Sequence, residues 1–188
     1  MGKLYAFFYD GMEETEAVTT VDILRRAGVD VTTVSLTGNA TVCNVRGIKI
    51  VADKLYSEIN VPEADAVFMP GGEGWERYHN YPEFLQQVKI HCNAGKITAA
   101  ICAAPVILSE IGLLKGRRAT CYPTLSERLI AGGASYVQGE ITVTDGNIIT
   151  APGPGTTPYF ALEVVRATAG GKAADAVKKG FILPKGIL

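Results

Sequence analysis

The sequence predicts an α/β sandwich, a mostly parallel sheet with helices packed on both faces. Short apolar runs of strand length alternate with longer amphipathic segments along the whole chain, and turns rich in glycine and proline separate them. The chain has 188 residues, no Pro/Ser-rich linker, no repeat and no low-complexity segment. Residues 1–188 are therefore read as one domain, long enough to bury a core.

Leu4 to Tyr9 is an aromatic-rich apolar run of strand length, broken by Asp10-Gly11. Glu13-Glu14-Thr15-Glu16 opens a helix; acidic residues in a first turn suit the macrodipole, which accounts for Glu13 and Glu14 without any further role. Ala17, Val18, Val21, Leu24 and Ala27 form its apolar stripe, and Gly28 suits its C-terminal end. Val29 to Leu36 is a strand rich in β-branched residues, followed by a Thr37-Gly38-Asn39 turn. Val42 to Leu55 reads as a small hairpin or excursion around Gly47.

Asp65 to Met69 is a buried strand that ends in Pro70-Gly71-Gly72, and Pro82 to Cys92 is an amphipathic helix closed by Asn93-Ala94-Gly95. Lys96 to Ile101 is the next strand. It runs into Cys102 and then into a helix opened by Pro105 and stopping near Gly112. Arg118 to Cys121 is a short strand, Leu125 to Ile130 a short helix, and Ile141 to Thr150 a hairpin about Asp145-Gly146. Beyond Pro152-Gly153-Pro154-Gly155, helices are predicted over Tyr159 to Thr168 and Lys172 to Lys179.

Composition narrows the function. The chain is 47% hydrophobic and 20% charged, and 18 basic against 19 acidic residues leave a net charge of −1. No long like-charge run is present, so neither nucleic acid nor an anionic membrane is expected as a partner. The N-terminal apolar run meets Asp10 too soon for a signal peptide or a membrane span. Gly2 lacks the Ser or Thr that myristoylation wants, because Ala6 stands there. The expectation is a soluble protein of the cytoplasm.

Cys43, Cys92, Cys102 and Cys121 contain no Cys-x-x-Cys pair, and His79 and His91 are the two histidines, both expected at the surface. That spacing builds no zinc site, and reduced thiols are expected. The glycine loops lack a complete phosphate-binding fingerprint, so no nucleotide, metal or other cofactor is expected.

In open α/β sheets the ligand crevice lies beyond the carboxyl ends of the strands. Asp10-Gly11, Pro70-Gly71-Gly72, Cys102 and Pro152-Gly153-Pro154-Gly155 all follow strands and are expected to converge there. Cys102 sits at a strand-to-helix turn. Unpaired N–H groups at such a turn favour an anion, and for cysteine that anion is the reactive thiolate. Cys102 is thus the candidate nucleophile. Cys43, Cys92 and Cys121 have no comparable setting, and buried, inert thiols account for them.

Five segments occur in a telling order: Glu13-Glu14-Thr15-Glu16, Arg25-Arg26-Ala27-Gly28, Pro70-Gly71-Gly72, Ala99-Ala100-Ile101-Cys102-Ala103-Ala104-Pro105 and Gly153-Pro154-Gly155-Thr156. Together they resemble the ThiJ/PfpI superfamily, in its DJ-one-like branch, and the resemblance covers essentially the whole chain. It implies a flavodoxin-like three-layer sandwich and a homodimer. By position, Cys102 corresponds to the family's reactive cysteine and Glu16 to the glutamate that hydrogen-bonds it. Gly72 and Ala103 correspond to positions whose backbone N–H groups face the reacting atom. Arg26 and Arg46 resemble basic residues of an anion pocket near the dimer interface.

Two departures bear on chemistry. Tyr122 stands where much of the branch has a histidine, and Ala103 stands where peptidase-like members carry histidine after the nucleophile. Tyrosine is a poor proton carrier at neutral pH, so peptidase activity is not expected and turnover is expected to be weak.

The resemblance implies a carbonyl-stress enzyme, a glutathione-independent glyoxalase or deglycase acting on small reactive aldehydes such as methylglyoxal and glyoxal. Cys102 forms the hemithioacetal and Glu16 serves as acid and base. The alternatives are a non-enzymatic redox sensor, whose Cys102 is oxidised to sulfinate by small oxidants, and a chaperone-like stress protein.

Overall fold

The structure, a computed structural model, describes residues 2–183. In chain order the elements are β1 (Lys3–Phe8), α1 (Glu14–Arg26), β2 (Asp30–Ser35), β3 (Thr41–Cys43), β4 (Lys49–Val51), β5 (Lys54–Leu55) and β6 (Ala66–Met69). There follow α2 (Pro82–Asn93), β7 (Ile97–Ile101), α3 (Ala104–Glu110), β8 (Arg118–Ala119), α4 (Ser126–Ala131) and β9 (Ser135–Tyr136). The last are β10 (Val143–Asp145), β11 (Ile148–Ala151), α5 (Thr157–Ala169) and α6 (Gly171–Gly180).

Seven strands form one sheet in the order β10-β11-β7-β6-β1-β2-β5, and every pairing in it is parallel except the β10–β11 hairpin. A parallel sheet needs cover on both faces, because its strands are apolar throughout. The side-chain alternation shows how that cover is divided. Phe7 of β1 packs on Phe84 of α2 with ring centroids 4.6 Å apart, whereas Phe68 of β6 packs on Phe160 of α5 at 5.7 Å. Phe68 is in register with Ala6, the residue before Phe7, so the two rings point to opposite faces. Helix α5 packs against α1 and α6 on one side, and α2 lies on the other. This is the expected three-layer sandwich.

The β3–β4 pair forms the excursion around Gly47, whereas Lys54–Leu55, read as its end, joins the main sheet as β5 beside β2. Asp10 ties it to the end of β1, its Oδ1 accepting from the Cys43 N–H at 2.8 Å, and Gly11 donates its N–H to the Cys43 carbonyl at 2.9 Å. The Asn44 side chain shapes the tip by accepting from the N–H groups of Arg46 and Ile48 at 3.0 and 2.8 Å.

Two expectations are corrected. Val18 does not belong to the buried stripe of α1: it is 49% exposed, and the buried face runs through Glu16, Ala17, Thr20, Val21, Ile23 and Leu24. The carboxyl of Glu16 takes a place on the inner face that periodicity alone gives to an apolar side chain. His91 is not at the surface. It lies on the buried face of α2, its Nε2 3.1 Å from the Ile97 carbonyl oxygen, and burial pushes its pKa down. Among the described residues no helix is long and apolar enough to cross a membrane, and no group of His, Cys, Asp and Glu is arranged to hold a metal ion.

Candidate active site

Strands β11, β7, β6 and β1 are neighbours, and the turns that leave their carboxyl ends carry Gly153, Cys102, Gly71-Gly72 and the entry to α1. The expected convergence is therefore built by sheet order. Cys102 leaves β7 with its N–H still on the β11 ladder, donating to the Ala151 carbonyl at 2.9 Å, and its own carbonyl accepts from the Tyr122 N–H at 2.7 Å. Between these anchors its φ is +65°, a left-handed conformation unusual for a residue with a Cβ. The sharp turn lifts Sγ out of the sheet toward the Gly71-Gly72 segment.

That segment must approach very closely. A Cβ on Gly71 would lie 2.7 Å from the Cys102 Cβ, 2.8 Å from the Ala103 nitrogen and 2.9 Å from the Ile101 oxygen, none of them a flexible end. Gly72 has φ +118° and presses on the backbone of Met12 and Glu13. The turn is also clamped from behind. The Tyr9 hydroxyl donates to the Gly71 carbonyl at 2.7 Å, the Tyr78 hydroxyl donates to the Pro70 carbonyl at 3.0 Å, and the Glu13 N–H donates to Gly71 O at 2.9 Å. Burial holds both phenols well above their ordinary pKa, so they remain neutral donors.

Tyr9 and Tyr78 are site-building residues that the sequence reading missed. The available signal was Tyr9 itself: a buried tyrosine at the end of an apolar strand needs a partner for its hydroxyl.

Glu16 enters from the first turn of α1. Glu13 caps that helix, its Oε2 accepting from the Glu16 N–H at 2.8 Å, in line with the electrostatic role expected of it. Glu16 is fully buried. Its Oε2 accepts from the Gly71 N–H at 2.8 Å, Oε1 receives no hydrogen bond from the described residues, and the Cys102 thiol lies beside the carboxyl. Burial pushes the Glu16 pKa from 4.5 up to about 8, with the Gly71 N–H and the thiol offsetting part of the rise.

The same burial, reinforced by the Glu16 charge, raises the Cys102 thiol, while the backbone N–H groups of Gly72 and Ala103 hydrogen-bond the sulfur and oppose the rise. The turn alone argues for a lowered thiol pKa, and burial beside Glu16 works against it. Burial raises both groups of this coupled pair, so Glu16 holds its proton through neutral pH and loses it near pH 8. Once the Glu16 proton has gone, its carboxylate stands beside the thiol as a base, and the Gly72 and Ala103 N–H groups stabilise charge that develops on sulfur as it attacks.

A cavity of about 330 Å³ opens above Sγ, with Trp75, Tyr122, Leu125 and Pro154 among its walls and Arg46 and Glu73 at its rim. Arg46 reaches it from the β3–β4 tip, 3.8 Å from Glu14 and 3.7 Å from Glu73. Arg26 does not. It lies at the far end of α1, roughly 18 Å along the axis at 1.5 Å per residue, and bonds Asp22 at 2.7 Å and faces the Phe181 ring. Among the described residues the two arginines thus stand apart, with Arg46 alone of the pair lining this cavity. Tyr122, at the position expected to hold histidine in relatives, is 44% exposed and lies against Gly153. His79 is engaged by Glu110 at 2.8 Å, and neither histidine lines the cavity. All four cysteines are free thiols, and burial pushes Cys121 up to about 12.

The model of the DJ-1/PfpI family matches residues 3–167. The chain is 39% identical over 175 residues to Protein DJ-1 homolog A of Arabidopsis thaliana. That alignment covers 92% of this chain and 44% of the plant protein, so the chain spans less than half of that relative's length. It is 30% identical over 173 residues to a Caenorhabditis elegans protein named glutathione-independent glyoxalase DJR-1.2, covering 92% of this chain and 91% of the other. The crystal structure of Drosophila melanogaster DJ-1beta superposes with a TM-score of 0.92 at 33% identity, covering 97% of this chain and 98% of that one.

Proposed function

Because this chain belongs to the DJ-1/PfpI family, we propose that it is a cysteine-dependent enzyme of carbonyl stress, a glutathione-independent glyoxalase acting on methylglyoxal and glyoxal. The observation that carries this reading is Glu16, a fully buried carboxyl raised to about 8, with one oxygen fixed by Gly71 and the Cys102 thiol beside it. A proton carrier tuned near neutrality beside a nucleophile suits a reaction that moves hydrogen between adjacent atoms.

In the singly ionised pair the Glu16 carboxylate takes the thiol proton as Sγ attacks the aldehyde carbon of methylglyoxal, and passes it to the aldehyde oxygen, forming a hemithioacetal. The Glu16 carboxylate next moves hydrogen from that carbon to the neighbouring ketone oxygen, giving an enediol. It then moves the proton of the first hydroxyl to the second carbon, leaving a thioester. Water cleaves the thioester, releasing lactate and restoring thiol and carboxyl; glyoxal yields glycolate by the same steps. No redox partner is consumed.

The test is lactate. Purified protein given methylglyoxal without glutathione is expected to form lactate equal to the aldehyde consumed, over many turnovers. Consumption that stops at one equivalent per chain, with no lactate, would mean that Cys102 only traps the aldehyde.

One feature favours a second reading. The Gly72 and Ala103 N–H groups and the protonated Glu16 are donors suited to the oxygens of a sulfinate, the product of the Cys102 thiolate with two equivalents of peroxide. A gain of two oxygens at Cys102 after mild peroxide, in protein that forms no lactate, supports the sensor instead.

We also propose a homodimer. Val18, Val45, Ile48 and Val51 leave apolar surface exposed on α1 and the β3–β4 hairpin. Sedimentation at twice the 20.0 kDa chain mass is expected, and a monomer at all concentrations overturns it.

A further inference from the structure

The cavity above Cys102 is larger than the aldehydes just named require. Methylglyoxal has three carbons and two oxygens and leaves most of about 330 Å³ to water. Its walls are also more apolar than a small polar aldehyde needs, with Trp75 and Tyr122 among the side chains around the sulfur and Leu125 and Pro154 adding aliphatic surface. Trp75 is the single tryptophan of the chain and is only 8% exposed.

The Trp75 ring is held from outside the cavity. The Arg128 guanidinium lies 4.6 Å from its centroid. Arg128 in turn is fixed on both arms, by Glu76 at 2.8 Å and Glu110 at 2.7 Å. Glu110 also bonds His79 Nε2 at 2.8 Å, and the His79 ring stands tilted to the indole at 6.3 Å. A bracket of charges from α3, α4 and the Trp75–Asn80 turn thus sets the indole plane. A preset aromatic wall binds a flat apolar group without first having to be ordered.

Building on the glyoxalase reading, we infer that this site selects α-oxoaldehydes whose substituent is flat and apolar, an aryl group above all, with Trp75 as the specificity-determining residue and Arg128 as the residue that positions it. The aldehyde carbon of such a substrate sits at Sγ and its ring lies along the indole. Phenylglyoxal is the simplest member, and the steps derived above convert it to mandelate with the same balance of atoms.

The test compares kcat/KM for phenylglyoxal and methylglyoxal, read as mandelate and lactate. The wild type is expected to prefer phenylglyoxal by about ten- to a hundredfold. In Trp75→Ala the ratio falls toward one, whereas Trp75→Phe, which keeps a ring and guards against misfolding, retains most of it. Arg128→Ala is expected to raise KM for phenylglyoxal with little change in its kcat, and Arg128→Lys to restore part of the affinity. Binding gives a readout independent of turnover: mandelate should change the Trp75 fluorescence of Cys102→Ala protein at concentrations at least about tenfold below those needed for lactate.

Lactate formed as efficiently as mandelate, or a ratio untouched by Trp75→Ala, overturns this inference and leaves the glyoxalase reading intact. Absence of both products overturns the glyoxalase reading, and the substrate assignment falls with it.

Discussion

Cys102→Ser is expected to abolish lactate formation from methylglyoxal, and Glu16→Gln to lower it by about two to four orders of magnitude. The serine hydroxyl fits the same turn, but Glu16 is far too weak a base to ionise it. In Glu16→Gln the amide oxygen can still accept from the Gly71 N–H, which holds the segment at 2.8 Å in the wild type, so the turn survives while the proton carrier is lost. The two changes therefore separate chemistry from architecture.

The pH profile gives the same pair a second reading. Because burial lifts Glu16 to about 8 and raises the thiol as well, the attacking form is the pair less one proton. In the wild type kcat/KM should climb about tenfold per pH unit below that value and level off above it. Turnover of either variant at the wild-type rate would rule the mechanism out, and so would a profile flat between about pH 6 and pH 8.

The layers of this fold were legible because the central strands β1, β6 and β7 are mostly apolar runs and local stops separate the elements: Gly28 after α1, Gly95 after α2, and Asp145-Gly146 inside the β10–β11 hairpin. These are local signals. What the sequence did not disclose is non-local. Nothing near Tyr78 tells that its hydroxyl will grip Pro70, and nothing near Arg128 tells that it will lie against Trp75.

Cys102 and Glu16 are distant in sequence, and the placement of one beside the other came from resemblance. Their electrostatics did not follow from local geometry either. A turn before a helix argues for a lowered thiol pKa, but desolvation by the whole core outweighs the two N–H groups that oppose it. His91 and Val18 were misplaced for a related reason. Periodicity says which side of a helix faces inward, and polarity says what prefers to be there; where function or packing sets the two against each other, the single chain does not announce which prevails.

Folding stability should fall between about pH 4.5 and pH 8, and Glu16→Gln should remove most of that fall. In the unfolded chain Glu16 loses its proton around its ordinary 4.5, whereas the folded chain keeps it to about 8. Within this window the folded state binds more protons than the unfolded one, so stability declines as pH rises. The stabilisation is complete below the unfolded value and is lost by the time pH passes the folded one. At about 1.4 kcal/mol per pH unit the change is on the order of 4–5 kcal/mol, large against the whole stability of a domain.

The glutamine side chain keeps the acceptor for Gly71 and carries no charge to desolvate. The variant should therefore be more stable than the wild type near pH 8, by about 5–15 °C in Tm, and the difference should close toward pH 5. Thermal unfolding of both proteins across this range decides it. Parallel curves would mean that Glu16 ionises in the folded protein as readily as in water, and the coupled proton on which the chemistry of Cys102 depends would not be there.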